Sequence, residues 1–205
     1  MKLFYRFSSA AARIYAKIFY GVRVYGQENL NFEGPALLAS NHISLFDPPL
    51  LGGMIPFEIH FMAKAELFEK PLFGRLISAL NAFPVKRGMI DRRALKISGE
   101  ILARGGRVLV FPEGTRQKSG ILAKPRPGAA KLAIDYNVPV LPICLMNTNR
   151  LRHMIFSRNH LKICYGELID TGSFMPDASE KERIYGLSDK IMAEIANLQE
   201  FLKTA

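Results

Sequence analysis

The first 25 positions hold no acidic residue, and the whole 205-residue chain holds only two cysteines. Nowhere do about twenty apolar residues run unbroken, the length a membrane-spanning helix needs. Each absence closes a class. Cys144 and Cys164 both lie in apolar, strand-like runs without metal-ligand spacing, so they read as buried free thiols in a reducing compartment rather than as a disulfide framework. No uninterrupted apolar core precedes a cleavage site, which argues against a secretory signal. There is no internal repeat, low-complexity tract or linker. The expectation is therefore one domain over residues 22–205, with a distinct helix over residues 1–21 ahead of it. No cluster of His, Cys, Asp or Glu has the spacing of a metal site, so no metal is expected. His60 sits in a strand-like run, and His153 and His160 in a basic, irregular stretch; all three read as structural or incidental.

Positive charge is what the chain has in excess. Its 28 Lys and Arg against 18 Asp and Glu give a net charge of +10, which leaves nucleic acid, anionic lipid and phosphorylated small molecules open as partners. Lys2, Arg6, Arg13, Lys17 and Arg23 fall in the acid-free N-terminal stretch. Lys2, Arg6, Ser9, Arg13 and Lys17 recur at three- and four-residue intervals, one narrow stripe of a helix. The remainder is apolar and aromatic, including Leu3, Phe4, Phe7, Ile14, Ile18 and Phe19. Such a helix fits the plane of an anionic membrane interface. The other reading is a core-packing helix with a solvated basic edge; the width of the apolar arc favours the interface. The expected location is the cytoplasmic face of the cell membrane, peripheral or monotopic. A nucleic-acid partner is disfavoured, because the cations gather in an aromatic helix and no reader motif is present.

The residues with chemistry begin at position 41. An apolar run over residues 36–39 reads as a buried strand, and Pro48-Pro49-Leu50-Leu51 as the opening of a helix. Asn41-His42-Ile43-Ser44-Leu45-Phe46-Asp47 lies between them, at the kind of corner where open α/β sheets place their sites. Five residues apart, His42 and Asp47 do not share a helix face. With His42 in the turn and Asp47 in the first helical turn, the carboxylate can reach back to one imidazole nitrogen. That fixes the tautomer and makes the other nitrogen a general base for a hydroxyl. The structural alternative is that Ser44 and Asp47 form a capping box and His42 is a turn residue.

Further along, a strand over residues 82–85 runs into Lys86-Arg87-Gly88, which suits an anion clamp or a solvated basic turn. Asp91 is placed to cap a helix running to Arg104. A second buried strand, residues 108–111, ends in Pro112-Glu113-Gly114-Thr115-Arg116. Gly114 lets the backbone approach a ligand, Arg116 can take a phosphate through two parallel hydrogen bonds, and Glu113 can hold Arg116 or accept from a substrate hydroxyl. The alternative is a local Glu–Arg pair on a turn. Pro139 and Pro142 bound another strand, which should therefore be an edge, a strand end or a wall facing substrate. Ser179 and Glu182 read as the capping box of a C-terminal amphipathic helix. Strands alternating with helices give an α/β fold with a mixed, largely parallel sheet and helices packed on it, plus the N-terminal amphipathic helix.

Taken together, Asn41–Asp47 and Phe111–Arg116 resemble the first and third motifs of the glycerolipid acyltransferase family, and most closely its bacterial 1-acylglycerol-3-phosphate branch. The resemblance runs from about residue 22 to about residue 170. Arg87 falls where the family's second motif ends in an arginine, Pro127-Gly128 matches its usual Pro-Gly pair, and residues 138–143 resemble its fourth motif. It implies acyl transfer from an acyl thioester (acyl-CoA or acyl-ACP) to the sn-2 hydroxyl of lysophosphatidate. His42 and Asp47 would be catalytic, and Lys86, Arg87, Glu113, Gly114, Thr115 and Arg116 would bind substrate. No acyl-enzyme forms, since the capping box would occupy the Ser44 oxygen, and backbone amides at the helix start would meet the oxyanion. No cofactor is implied beyond the thioester co-substrate, with acyl carrier protein and an anionic membrane surface as partners. Two other readings stay open: the same chemistry on glycerol 3-phosphate or a lyso-aminolipid, and a non-catalytic basic module that binds membrane surfaces.

Overall fold

A computed structural model describes residues 3–86, 91–153 and 160–205. A seven-stranded sheet runs in the order β1-β7-β6-β2-β5-β3-β4. Its strands are β1 (Arg23–Tyr25), β2 (Ala36–Ser40), β3 (His60–Lys64), β4 (Ala82–Val85), β5 (Arg107–Val110), β6 (Val140–Met146) and β7 (Lys162–Tyr165). Every neighbouring pair is parallel except β6 with β7, so the mixed, largely parallel α/β sheet expected from the sequence is present. The helices are α1 (Leu3–Tyr20), α2 (Asp47–Met54), α3 (Pro71–Ala79), α4 (Arg92–Ala103), α5 (Gly128–Asp135) and α6 (Glu180–Thr204).

Strand β2 sits at the centre, and all five of its residues are buried. Parallel strands covered on both faces need continuous rather than alternating apolar sequence, and Ala36-Leu37-Leu38-Ala39 supplies it. Leu38 faces the layer that holds Leu50 and Leu51 of α2 and Ala16 of α1. Leu37 faces the opposite layer, with residues of α4, α5 and α6. Burying each of these leucines contributes roughly 1.5–3 kcal/mol. The chain leaves β2 for β3 on one side, while the chain leaving β5 crosses over β2 to β6 on the other. Such a reversal opens a crevice at the carboxyl ends of the strands, and β2 delivers His42 into it.

Two expectations change. Strand β6 is neither an edge nor a strand end: it lies between β7 and β2, with Pro142 paired to Ala39. The missing donor is tolerated because N–H groups alternate sides along a strand. Val140 donates to Ile169 on the β7 side, so Pro142 faces that side too, just beyond the last paired residues Ile143 and Tyr165. The second change is in residues 64–80, whose apolar pattern reads as a helix broken near Pro71. A 3-10 turn, Ala65–Leu67, precedes the break at Pro71, and only α3 beyond it is α-helical. Both helix caps read from sequence are present: Asp91 accepts from the amides of Arg93 and Ala94, and Ser179 and Glu182 form a reciprocal capping box.

Helix α1 lies on α2 with a mixed side inward: Tyr5 and Ala16 are buried, and Ser9 and Arg13 turn toward α2. The Ser9 hydroxyl donates to the Gly52 carbonyl and Arg13 Nε to the Gly53 carbonyl, both at 2.9 Å. These are carbonyls at the C-terminal end of α2, which no helical amide can reach. Gly53 permits the approach, since a Cβ there would stand 2.9 Å from that of Ala12. The stripe expected to face water thus supplies part of the seam, with Arg6 and Lys17 exposed at its flanks. What faces outward is apolar: Leu3 is 82% exposed, Phe7 73% and Ile18 70%. Among the described residues no helix is long and apolar enough to cross a membrane.

Candidate active site

The chain turns sharply after β2, and the turn is held by one carboxylate. Asp47 Oδ2 lies 2.8 Å from His42 Nδ1 and accepts from the amides of Ile43 and Ser44 at 2.7 Å each. Its other oxygen, Oδ1, accepts from the Thr148 hydroxyl at 2.6 Å. Asp47 is fully buried and His42 is 4% exposed. A buried carboxylate is stable only when its lone pairs are met, and here four donors meet them. With Oδ2 acting as acceptor, Nδ1 must carry the imidazole proton, which leaves Nε2 as the basic nitrogen.

This geometry revises the expected capping box. Asp47 does reach back to the Ser44 amide, but the Ser44 hydroxyl accepts from Phe46 rather than from Asp47, and α2 begins without a side-chain cap. It also takes the Ile43 and Ser44 amides, so these are not available to an oxyanion at the helix start.

A second loop fixes His42 from the other side. Glu113 is buried just beyond β5; its Oε1 accepts from the His42 amide at 2.9 Å and its Oε2 from the Ala123 amide at 3.0 Å. Both oxygens serve the backbone, so Glu113 holds the two loops together and does not pair with Arg116. Burial pushes its carboxyl above the ordinary glutamate range; the two amides oppose that shift. Gln117 N donates to the His42 carbonyl at 2.7 Å, and the imidazole stacks on Phe111 with ring centroids 4.0 Å apart. A third tie comes from Asn41. Its side-chain amide donates to the Leu145 carbonyl at 2.9 Å and accepts from the Leu145 amide at 2.7 Å.

His42 opens on a cavity of about 370 Å³. Met62, Val85, Leu95, Leu109, Phe111 and Leu132 give it an apolar lining, and Lys86, Arg126 and Lys131 bring positive charge. Lys131 is engaged by Asp135 and Glu180. Gly114 also lines the cavity; its φ of +71° suits glycine, and a Cβ there would meet Arg126 Nε at 2.6 Å. Lys86 lies at the end of β4, exposed, its amide donating to Asp91. Thr115 is exposed and accepts from the Gln117 side chain. Arg116 is half-buried and is not among the residues lining the cavity. Arg87, expected to bind phosphate, lies outside the described residues. Reasoning from sequence missed Arg126, Asn41 and Thr148. Arg126 stands in a run of alternating cations and prolines that could have marked it, whereas Thr148 carries no local signal at all.

Comparison with known proteins finds relatives of one kind. A family model described as Acyltransferase matches residues 21–146. The 1-acyl-sn-glycerol-3-phosphate acyltransferase of Bacillus subtilis (strain 168) is 29% identical over 199 residues, covering 97% of this chain and 98% of that one. The chloroplastic 1-acyl-sn-glycerol-3-phosphate acyltransferase LPAT1 of Arabidopsis thaliana is 35% identical over 155 residues, 71% of this chain and 43% of that longer one. Among solved structures, the 1-acyl-sn-glycerophosphate (LPA) acyltransferase PlsC from Thermotoga maritima superposes with a TM-score of 0.78 at 28% identity, covering 98% of this chain and 79% of that one.

Proposed function

The chain belongs to the acyltransferase family, and we infer that it moves an acyl group from a thioester to the sn-2 hydroxyl of 1-acylglycerol 3-phosphate, giving phosphatidic acid. The observation that carries this reading is the His42–Asp47 pair, 2.8 Å apart and buried, opening on an apolar cavity with cations in its lining. The acceptor hydroxyl gives its proton to His42 Nε2 as its oxygen bonds to the thioester carbonyl carbon. When the tetrahedral intermediate collapses, the C–S bond breaks, and the imidazolium returns the proton to the leaving thiolate. Asp47 holds the ring in the tautomer this requires and faces the imidazolium charge. With the Ile43 and Ser44 amides committed to Asp47, charge on the oxyanion falls to the cations of the cavity, Lys86 and Arg126.

The same cations, with Arg87 and Arg116 from the family resemblance, are assigned to the acceptor phosphate. An arginine can grip it through two parallel hydrogen bonds and so set which hydroxyl reaches His42. The apolar wall of the cavity takes the acyl tail. The outward apolar face of α1, flanked by Arg6 and Lys17, is assigned to the anionic surface where the lipid acceptor resides.

The test is mass-spectrometric product analysis of purified protein given mixed acyl-CoA and acyl-ACP thioesters with several acceptors. Transfer to lysophosphatidate is the expected result. Transfer only to glycerol 3-phosphate or to a lyso-aminolipid would replace the acceptor. No transfer to any of them would favour the non-catalytic surface-binding reading. Arg126→Ala and Arg116→Ala should each raise the half-saturating lysophosphatidate concentration, by roughly 10- to 150-fold for one charged hydrogen bond lost. A rise confined to the thioester would assign the cations to the donor instead.

A further inference from the structure

The His42–Asp47 pair is not closed on itself. Asp47 Oδ1, the oxygen turned away from the imidazole, has the Thr148 hydroxyl as its protein donor, and Thr148 comes from a distant part of the chain. It begins the 3-10 turn Thr148–His153 beyond β6, 101 residues from Asp47 in sequence. The contact is 2.6 Å long, between a fully buried carboxylate and a threonine 1% exposed. We propose that Thr148 is a positioning residue for acyl transfer: its O–H orients Asp47, and through Asp47 the imidazole of His42.

Three observations support this. A carboxylate can rotate about its Cβ–Cγ bond, and three donors on Oδ2 alone would leave Oδ1 of this fully buried residue without a protein partner. The Thr148 hydroxyl pins the second oxygen and so fixes the plane of the group. Second, the segment that carries Thr148 is itself anchored to the corner. Asn41, the residue before His42, pairs through both ends of its amide with the backbone of Leu145, three residues before Thr148. The end of β6 therefore reaches the site at two points, one on each side of His42. Third, the turn between them is built to bring the threonine in: Asn147 takes φ +70°, a region that asparagine tolerates better than most residues, and its side chain donates to the His160 carbonyl.

This inference rests on the acyl-transfer reading, and the experiment separates the two. Wild-type transfer tests that reading. The Thr148 variants, measured with the same substrates, test this one. Thr148→Val keeps the shape and loses the donor; kcat should fall about 10- to 100-fold, less than the roughly 10²- to 10⁴-fold that a general base supplies in full, while both half-saturating concentrations stay within about twofold. Thr148→Ser should recover most of the rate. Ser and Cys are alike in size and differ in donor strength, so Thr148→Cys should fall between Ser and Val. In a His42→Ala background, Thr148→Val should change the residual rate no further. If the rates instead follow side-chain shape, with Val equal to Thr and above Ser, Thr148 only fills space and the proposal falls. Were Thr148→Val not to fold, the Ser and Cys pair would still decide, since equal rates in those two overturn it. A readout independent of turnover is the low-field NMR signal of the His42 Nδ1 proton. It should persist in Thr148→Ser and move or broaden in the weaker-donor variant; no difference between the two overturns the proposal.

Discussion

The corner after β2 and the helix α1 break the usual rule of burial in opposite directions. At the corner, an imidazole and a carboxylate are buried, and the structure meets the cost by giving Asp47 four donors. In α1, Leu3, Phe7 and Ile18 stand in the open while Ser9 and Arg13 turn inward to the carbonyls of α2. Buried polar groups that are fully hydrogen-bonded describe a site built to hold one geometry. Exposed apolar groups with no protein over them describe a surface suited to a different solvent. The two lie on neighbouring elements, since Asp47 begins α2 and α1 packs along it. The buried corner and the exposed apolar face are thus joined through a helix of eight residues.

The sharpest way to break the comparison is at the corner. His42→Ala should remove transfer, and Asp47→Asn should lower kcat by about 10²-fold or more, as expected when a general base loses its orientation. Circular dichroism and thermal unfolding would show whether the fold survives. Full turnover in folded His42→Ala protein would overturn the assigned base.

At the helix, Phe7→Glu together with Ile18→Glu should leave the fold intact and weaken binding to anionic vesicles by about 10²-fold or more, from the burial each side chain would otherwise gain. A sedimentation assay over a salt series reads this. Wild-type binding should fall only in part with salt, because apolar insertion is screened less than charge attraction. Equal binding of variant and wild type would leave α1 as an ordinary packing helix.

The seam between the two regions is a smaller target. Gly53→Val places a branched side chain against Ala12, where even a Cβ would stand at 2.9 Å. Overpacking of this kind costs about 1–3 kcal/mol, readable in denaturant unfolding. An unchanged midpoint would mean that α1 is not held there.

The least effect is expected in the ordinary core, where the rule of burial holds. Burial pushes the Cys144 thiol up to about 12 and that of Cys164 up to about 11. At pH 8 both should be silent to a thiol reagent in the folded protein and react once it is unfolded. The sign for stability follows. The unfolded thiols ionise near 9.0, so their contribution is complete below that pH and is lost as pH rises through about 11 and 12. A thiol that reacts in the folded state would show that the sheet opens around β6 or β7.

The alternation of strands and helices was legible in the chain because the apolar runs are short, continuous and punctuated by glycine, proline or a cap. The contact between His42 and Asp47 was legible because the two lie five residues apart, within the reach of one turn. Thr148 was not, since nothing local marks a threonine that meets its carboxylate across 101 residues. Glu113 was visible as a site residue, but its partners were not: sequence offered Arg116 nearby, and folding brought the amides of His42 and Ala123 closer. The stripe of α1 was correctly periodic, yet period alone cannot say which side faces the protein, and Ser9 and Arg13 face inward. Pro142 suggested an edge because a proline lacks a donor; only the three-dimensional ladder reveals that it lies inside the sheet, its carbonyl still accepting from the Gly166 amide.

The pairing of β1 with β7 carries a consequence in time. Arg23 meets Lys162, so the strand that follows α1 has no neighbour in the sheet until β7 has been made. At ordinary rates of synthesis that interval is about 7–30 s, far longer than a helix needs to form. Throughout it, α1 has its seam on α2 to hold it, but the strand that follows stays unsecured. The first strand to be made is thus the last part of the sheet layer to be tied down, and the two ends of the chain close the fold together.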